Sequence, residues 1–269
     1  NEVEMDIIIY SAAVSACETS AEWAQALELI GDMATSHVEK DTIAYNAAVS
    51  ACAKAGAWVR ALILFRDMDA SHVEMSTITY SAAVSACEKG GPWTLVLGLL
   101  GDMAARRVRT DTIICSAAVS ACDKGGAWAS ALWLLVHMAD SHVEKNTITY
   151  NAAVSACEKR GRWAEAMQLL CDMAAIHVKA DVITYGQAVT ACEHSPMWQL
   201  PVALFNDLST KFPEPAGICL GSVINACRAA NSWELACMLL DRELTRWLEL
   251  QQPNVDALGS LAHDALLGV

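Results

Sequence analysis

The apolar residues between positions 58 and 69 are spaced three and four residues apart, which places them on one face of a helix. They are Trp58, Ala61, Leu62, Phe65 and Met68. The preceding segment, 42–54, predicts a second helix, whose small residues, such as Ala48 and Ala51, would let a neighbouring helix approach closely. Residues 55–57 form a turn between the two. The pattern therefore predicts a unit of two helices that pack against each other.

This two-helix pattern returns every 35 residues. Tryptophan opens the second helix at Trp23, Trp58, Trp93, Trp128, Trp163, Trp198 and Trp233. Cysteine lies near the end of the first helix at Cys17, Cys52, Cys87, Cys122, Cys157, Cys192 and Cys227. Helical arrays have periods in this range, and each of their units buries its apolar face only against its neighbours. The sequence thus predicts an all-α fold, a solenoid of two-helix repeats.

Seven units fit the chain. They span residues 7–41, 42–76, 77–111, 112–146, 147–181, 182–216 and 217–251. Residues 1–6 match the last six residues of a unit, because Val3-Glu4 aligns with Val38-Glu39. We expect them to be the end of a preceding repeat, with further sequence upstream. Residues 252–269 follow no repeat and are expected to form a C-terminal tail, since the terminal parts of solenoids are usually atypical.

Composition changes this picture in two respects. The apolar runs are far shorter than the roughly 20 residues that a membrane helix needs, so no membrane span is expected. The net charge of −13 argues against a nucleic-acid partner, because phosphate contacts dominate that kind of affinity. The opening residues 1–6 lack the basic and apolar regions of a targeting peptide.

Neither the cysteines nor the histidines predict a reactive site. Stacked helices lie about 8–10 Å apart, whereas zinc lies about 2.3 Å from a cysteine ligand, so one cysteine per unit predicts a buried structural role. A histidine column follows the second helix at His37, His72, His142 and His177, with Arg107 in one unit. A residue there would favour the helix dipole or adopt a left-handed backbone. Without a phosphate loop or catalytic constellation, we expect no enzyme, no cofactor and no small-molecule substrate.

Function must then come from a surface, where three columns are candidates. The fifth position of the units holds Ser11, Asn46, Ser81, Ser116, Asn151, Gly186 and Gly221, and the thirty-fifth holds Asp41, Ser76, Asp111, Asn146, Asp181 and Ala216. Lysine recurs near the end of the first helix at Lys54, Lys89, Lys124 and Lys159, with His194 in the sixth unit. Helix capping is an alternative role for the polar residues. A solvated helix end that favours cations is an alternative for the lysines.

Several segments resemble the pentatricopeptide repeat in its P-type, 35-residue form. The resemblance rests on Thr147-Ile148-Thr149-Tyr150-Asn151, Ala156-Cys157-Glu158-Lys159 and Ala164-Glu165-Ala166-Met167, with Leu169-Leu170 and Asp172-Met173 after them, and it covers residues 1 to about 250. It implies a right-handed α-α superhelix that binds single-stranded organellar RNA, one base per repeat. The copies depart from the family where glycine is usual before the loop, here mostly histidine, and where proline is usual before the thirty-fifth residue.

The resemblance also implies that the fifth and thirty-fifth residues face the Watson–Crick edge of a base. Asn, Ser and Asp suit that role because they differ in donors and acceptors at nearly equal size. By the family's code, Ser11 with Asp41 implies G, Asn46 with Ser76 implies C, Ser81 with Asp111 implies G, Ser116 with Asn146 implies A, and Asn151 with Asp181 implies U. The implied footprint is 5′-GCGAU-3′. Gly186 with Ala216, and Gly221, should read nothing.

By the same resemblance, the second residue of each unit wedges between neighbouring bases, and the lysine column lies near phosphates. The second residues are Ile8, Ile43, Ile78, Ile113, Ile148 and Ile183. Packing at the start of the helix is the alternative role of these isoleucines. If RNA is the ligand, the lysines should make the concave groove locally positive although the whole chain is acidic.

Two functions remain open at this point. The first is an adaptor that binds single-stranded RNA in an organelle, a plastid in preference to a mitochondrion, and serves RNA processing, stability or translation. The second is a scaffold that holds protein partners within a larger organellar assembly, such as a ribosome or a photosynthetic complex. The net charge of −13, the near-identical repeats and the two glycine positions favour the second.

Overall fold

The computed structural model describes residues 2–36, 38–193, 195, 199–212, 217–229 and 232–251. Within these ranges every regular element is an α-helix. The helices are α1 (Glu2–Ser20), α2 (Trp23–Thr35), α3 (Thr42–Lys54), α4 (Trp58–Ala70), α5 (Thr77–Gly90), α6 (Trp93–Ala105), α7 (Thr112–Lys124), α8 (Trp128–Asp140), α9 (Thr147–Glu158), α10 (Trp163–Ala175), α11 (Val182–Ala191), α12 (Gln199–Lys211), α13 (Gly217–Ala229) and α14 (Trp233–Gln251). Odd-numbered helices open the units and even-numbered helices close them. The predicted all-α architecture of two-helix repeats is confirmed.

The helix boundaries follow the predicted period closely, with one exception at the beginning. Helix α1 starts at Glu2, whereas the alignment with other unit ends predicts a helix start at Ile7. The aligned segments 73–76 and 143–146 are instead loops, because each follows a left-handed residue, His72 or His142, that ends the preceding helix. The predicted Trp198, His37, His194 and Ala216, and the tail at 252–269, lie outside the described residues.

The chain divides into two compact units. In the first, formed by residues 1–160 and 164–180, the opening helices α1, α3, α5, α7 and α9 pack on one another in succession. The closing helices α2, α4, α6 and α8 each contact their own opening helix and the opening helix of the next repeat, so the unit has two helical layers. In the second, formed by residues 161–163 and 181–269, α11 packs on α12 and α13, and α13 packs on α14.

Small side chains let the opening helices pack closely. Ala48, Val49, Ala51 and Cys52 on α3 are fully buried, and the equivalent residues of α5 and α7 repeat the arrangement. The closing helices contribute a column of fully buried methionines. These are Met33, Met68, Met103, Met138 and Met173. The core therefore lies between the two layers, and its volume is set by small residues on one side and flexible apolar ones on the other.

The loop after each closing helix explains the histidine column. His72, His142 and His177 have φ of 55°, 54° and 58°, and Arg107 has φ of 59°. The next residue then donates its N–H back into the helix, as Val73 does to the carbonyl of Met68 at 3.1 Å. This is a Schellman motif, in which glycine is the usual left-handed residue. The histidines thus end helices, as one of the sequence interpretations expected.

Candidate nucleic-acid interface

The isoleucines at the second position of the repeats are exposed to solvent. Ile8, Ile43, Ile78, Ile113, Ile148 and Ile183 have 59–69% of their surface accessible. All but Ile8, which lies further along α1, are the second residue of an opening helix. The interpretation that they pack at the helix start is therefore wrong. A regular column of exposed branched apolar side chains is available to a ligand with flat apolar faces.

The thirty-fifth residues cap the opening helices. Asp41 accepts a hydrogen bond from the N–H of Ala44 at 2.8 Å, and Asp111 accepts one from Ile114 at 2.8 Å. Asn146 and Asp181 do the same for Thr149 and Thr184, at 2.9 and 2.8 Å. Ser76 forms a capping box with Thr79. The capping interpretation is thus confirmed for these five residues.

Capping leaves donor and acceptor capacity on these side chains. The cap bonds of Asp41 and Asp111 both use Oδ1, so Oδ2 can accept another hydrogen bond. Asn146 uses its amide oxygen for the cap, which leaves its NH₂ group to donate. A capping role and contact with a ligand are therefore compatible, and the cap holds each side chain in one orientation.

The fifth residues lie beside the caps that follow them. Ser11 Oγ donates to Asp41 Oδ1 at 3.1 Å. The side chain of Asn46 accepts from Thr79 Oγ1 at 2.7 Å, and Thr79 in turn contacts Ser76 Oγ at 3.3 Å. Ser116 is joined to Asn146 in the same way through Thr149. The structure therefore brings together the residues that the code pairs in the first, second and fourth repeats.

The other coded residues occupy equivalent positions on their own elements. Ser81 is half-buried on α5, and Asp111 precedes α7. Asn151 is half-buried on α9, while Asp181 precedes α11. Gly221 is exposed, whereas Gly186 is buried against Cys219.

Three of the four column lysines are bound to carboxylates of the preceding repeat. Lys54 Nζ lies 3.0 Å from Glu18, Lys124 Nζ 3.1 Å from Glu88, and Lys159 Nζ 2.8 Å from Asp123. The expectation that this column makes the groove positive therefore does not hold at these three lysines, because each ammonium faces an anion. Lys89 differs, since it donates to the backbone carbonyl of Lys54 at 3.1 Å.

A cavity of about 640 Å³ brings residues of all three columns together on the face of the opening helices. Its walls include Ile43, Ile78 and Ile113 from the isoleucine column, Asn46, Ser81 and Asp111 from the polar columns, and Lys54 and Lys89. Exposed apolar residues, hydrogen-bonding residues and ammonium groups thus surround one space. This arrangement can hold stacked aromatic rings, read their polar edges and contact anionic groups beside them.

A tyrosine–aspartate pair joins the two helices of a repeat, and the sequence analysis did not identify it. Tyr45 donates to Asp67 Oδ2 at 2.6 Å, and Tyr80 donates to Asp102. The hydrogen bond from Tyr45, opposed by burial, holds the pKa of Asp67 below its usual range. The two columns recur together, and the fourth repeat loses both members at once, with Cys115 and His137 in their places. That joint change was the available signal.

The chemistry of the cysteines agrees with a structural role. Burial raises the pKa of Cys52, Cys87 and Cys122 to about 11, so these thiols are protonated at neutral pH.

Across the described residues, no three His, Cys, Asp or Glu side chains converge as a metal site. In the same part of the chain, no helix has the length and apolarity required to cross a membrane.

Comparison with known sequences shows which repeat family these units match. Residues 43–73 match the family model for the PPR repeat, and residues 145–194 match the model for the PPR repeat family. The chain contains pentatricopeptide repeats. Both matched segments include the isoleucine, fifth and lysine positions of an opening helix. No curated protein matches this pentatricopeptide repeat sequence.

Solved pentatricopeptide repeat structures share the fold at low identity. PPR10 from maize superposes with a TM-score of 0.63 at 21% identity, over 88% of this chain and 34% of that one. PPR10 in complex with an 18-nt psaJ RNA element gives 0.61 at 20% identity, over 87% and 33%. The PPR domain of Arabidopsis thaliana protein-only RNase P 1 in complex with tRNA gives 0.61 at 14%, over 66% and 94%. The present chain thus spans about a third of the length of PPR10.

Proposed function

We propose that this pentatricopeptide repeat chain binds single-stranded RNA along the face of its opening helices, one base per repeat. The base-reading pairs are those of the code given above, and the preferred sequence is 5′-GCGAU-3′. The chain acts as a non-catalytic adaptor in the processing, stability or translation of an organellar RNA, in a plastid in preference to a mitochondrion.

The exposed isoleucine column is the observation that carries this proposal. The isoleucines at one position of six successive repeats keep 59–69% of their surface exposed to water. Bases offer flat apolar faces that can be buried between them, and such stacking is tolerant of sequence. The capped polar residues lie beside the isoleucines, where they can reach base edges. Two relatives of the same fold, PPR10 and the protein-only RNase P 1 domain, were each solved with RNA.

The acidic charge of the chain limits the affinity and does not exclude the ligand. The lysine–carboxylate pairs show that much of the positive charge on this face is already neutralised. Binding should therefore depend more on stacking and base contacts than on phosphate neutralisation, and its salt dependence should be shallow for an RNA-binding protein.

Fluorescence anisotropy with a labelled RNA that carries GCGAU tests the proposal, with a scrambled RNA as the control, over a salt series. Two reciprocal variants test the code. Ser81→Asn should change the preferred third base from G to U, and Asn151→Ser should change the fifth from U to G. A mismatch costs about 1–3 kcal/mol in comparable recognition, so each variant should favour its own RNA by about five- to a hundredfold. Equal affinity for all RNAs would refute base reading, and no binding at low salt would refute RNA binding.

A second candidate function, a scaffold for a protein partner, is favoured by one surface on the closing helices. Trp133 on α8 is 56% exposed and borders a cavity of about 1210 Å³ between α6 and α8. His137, whose ring centroid lies 5.3 Å from that of Trp133, and Arg107 also line it. Exposed tryptophan is a frequent anchor of protein interfaces. If the chain is a scaffold, Trp133→Ala should abolish binding of its protein partner. RNA binding on the opposite helical layer should be unchanged.

A further inference from the structure

A three-membered polar contact recurs between the ends of neighbouring opening helices. In the first instance, Glu18 Oε1 accepts hydrogen bonds from Ser50 Oγ at 2.8 Å and from Lys54 Nζ at 3.0 Å. In the unit two repeats further on, Glu88 Oε1 accepts from Ser120 Oγ at 2.8 Å and from Lys124 Nζ at 3.1 Å. A carboxylate of one repeat is thus held by a hydroxyl and an ammonium of the next.

The interface between the second and third repeats has the donors without the carboxylate. Ser85 and Lys89 correspond to Ser50 and Lys54, but the acidic position opposite them is Ala53. Lys89 Nζ makes one hydrogen bond, to the carbonyl oxygen of Lys54 at 3.1 Å. Within the described residues, neither Ser85 nor Lys89 pairs with a carboxylate. An ammonium has three donors, so at least two of those on Lys89 can serve a ligand.

We propose that Ser85 and Lys89 form a phosphate site, in which an oxygen of the RNA backbone takes the place that Glu18 and Glu88 oxygens occupy in the neighbouring repeats. This inference rests on the proposed RNA-binding function and specifies where the backbone is anchored. Phosphate oxygens accept charge-assisted hydrogen bonds from the same donors as carboxylates do. The protein's own carboxylates thereby show that a hydroxyl and an ammonium in this arrangement hold an oxyanion.

The surroundings support an occupant supplied by RNA. Ser85, Lys89 and Ala53 all line the 640 Å³ cavity that also contains Ile43 and Ile78. A strand that stacks its bases on those isoleucines would carry its phosphates past the same wall. The carbonyl groups at the helix ends oppose an anion there, but Glu18 and Glu88 occupy equivalent places, so the ammonium outweighs them. Among the four column lysines, Lys89 is therefore the one that can bind phosphate without first releasing a carboxylate.

The experiment compares Lys89 with Lys124, which occupies the same position one repeat further on but is paired with Glu88. Lys89→Gln should weaken binding of the GCGAU RNA about tenfold and reduce the slope of log affinity against log salt by about 0.7, as expected for one lost phosphate contact on a single strand. Lys124→Gln should change the affinity less than about twofold, because its charge is already used in the protein.

A charge-conserving exchange tests the cause. The double variant Ala53→Glu/Glu88→Ala keeps the net charge at −13 but fills the site at Lys89 and opens the equivalent one at Ser120 and Lys124. In this background Lys124→Gln should cause the large loss, and Lys89→Gln should have little effect. Glu88→Ala alone, which inserts no new side chain, should raise the affinity several-fold. Circular dichroism checks that each variant retains its helices.

Two outcomes would overturn the inference and are distinguishable from each other. If the wild-type chain binds RNA but loses the same affinity on Lys89→Gln and Lys124→Gln, the site is wrong while the proposed function stands. If the wild-type chain binds no RNA at low salt, the proposed function and the site are both wrong.

Discussion

Two neighbouring isoleucines on α7 provide a sharp test of the interface. Ile113 is 66% exposed, whereas Ile114 is fully buried. They have the same side chain and adjacent places on the same helix turn, so replacing each with alanine makes matched changes. We expect Ile113→Ala to alter RNA binding without altering stability, and Ile114→Ala to do the reverse.

The magnitudes follow from the exposed fractions. Full burial of an isoleucine side chain contributes about 1.5–3 kcal/mol relative to exposure, and about two thirds of that remains available at Ile113. Burial between bases should therefore contribute about 1–2 kcal/mol, which corresponds to about a five- to thirtyfold loss of affinity in Ile113→Ala. Alanine is the better helix former, so the free energy of unfolding should stay within about 0.5 kcal/mol of wild type. Ile114→Ala should lower it by about 2–5 kcal/mol.

Urea denaturation followed by circular dichroism gives the stability of each variant, and fluorescence anisotropy gives its RNA affinity. Binding is measured at a temperature where Ile114→Ala is still folded. Two results would refute the reasoning. One is a loss of stability above about 1 kcal/mol in Ile113→Ala, which would mean that the side chain is packed. The other is unchanged RNA affinity in that variant, which would mean that no base stacks on it.

Three further predictions concern the scaffold. Folding lowers the pKa of Asp67, so the ionised carboxylate stabilises the fold above the unfolded pKa, and this stabilisation is lost as pH falls through the folded pKa. In urea denaturation, Asp67→Asn should therefore be less stable than wild type at pH 7, and the difference should disappear in acid. His142→Gly should raise the free energy of unfolding by about 0.5–1 kcal/mol by relieving the left-handed backbone, whereas Ala139→Gly within α8 should lower it by about 1 kcal/mol. A thiol reagent at neutral pH, followed by mass spectrometry, should label the exposed Cys171 and Cys237 and leave the nine buried cysteines unmodified.

Periodicity was sufficient to predict the helices. The tryptophan and cysteine columns each mark one helix of the unit, and α3 and α4 begin where the pattern predicted. The first helix departs from the pattern. It starts at Glu2, whereas in a later repeat the segment aligned with residues 3–6, at 73–76, is a loop after the left-handed His72.

The candidate site was predicted as a set of columns but not as a set of contacts. The sequence left the isoleucines open between packing and ligand contact, and only their exposure separates the two roles. It also showed the lysine column without showing that Lys54, Lys124 and Lys159 each face a carboxylate 36 residues earlier. That pairing depends on how one helix is shifted along the next, which no column of a single sequence records. The acidic residues were visible, but their relation to the lysines was not.

Some contacts within the repeats depend on no particular partner side chain, and this affects how the array can change in length. Thr77, Thr112 and Thr147 each donate to a backbone carbonyl 32 residues later, at 3.3, 3.2 and 3.0 Å. Every residue supplies such a carbonyl, so removal or duplication of one 35-residue block leaves the same bond at the new junction. Copy number can therefore vary in whole blocks at little structural cost, and a ligand would gain or lose one contact position with each block.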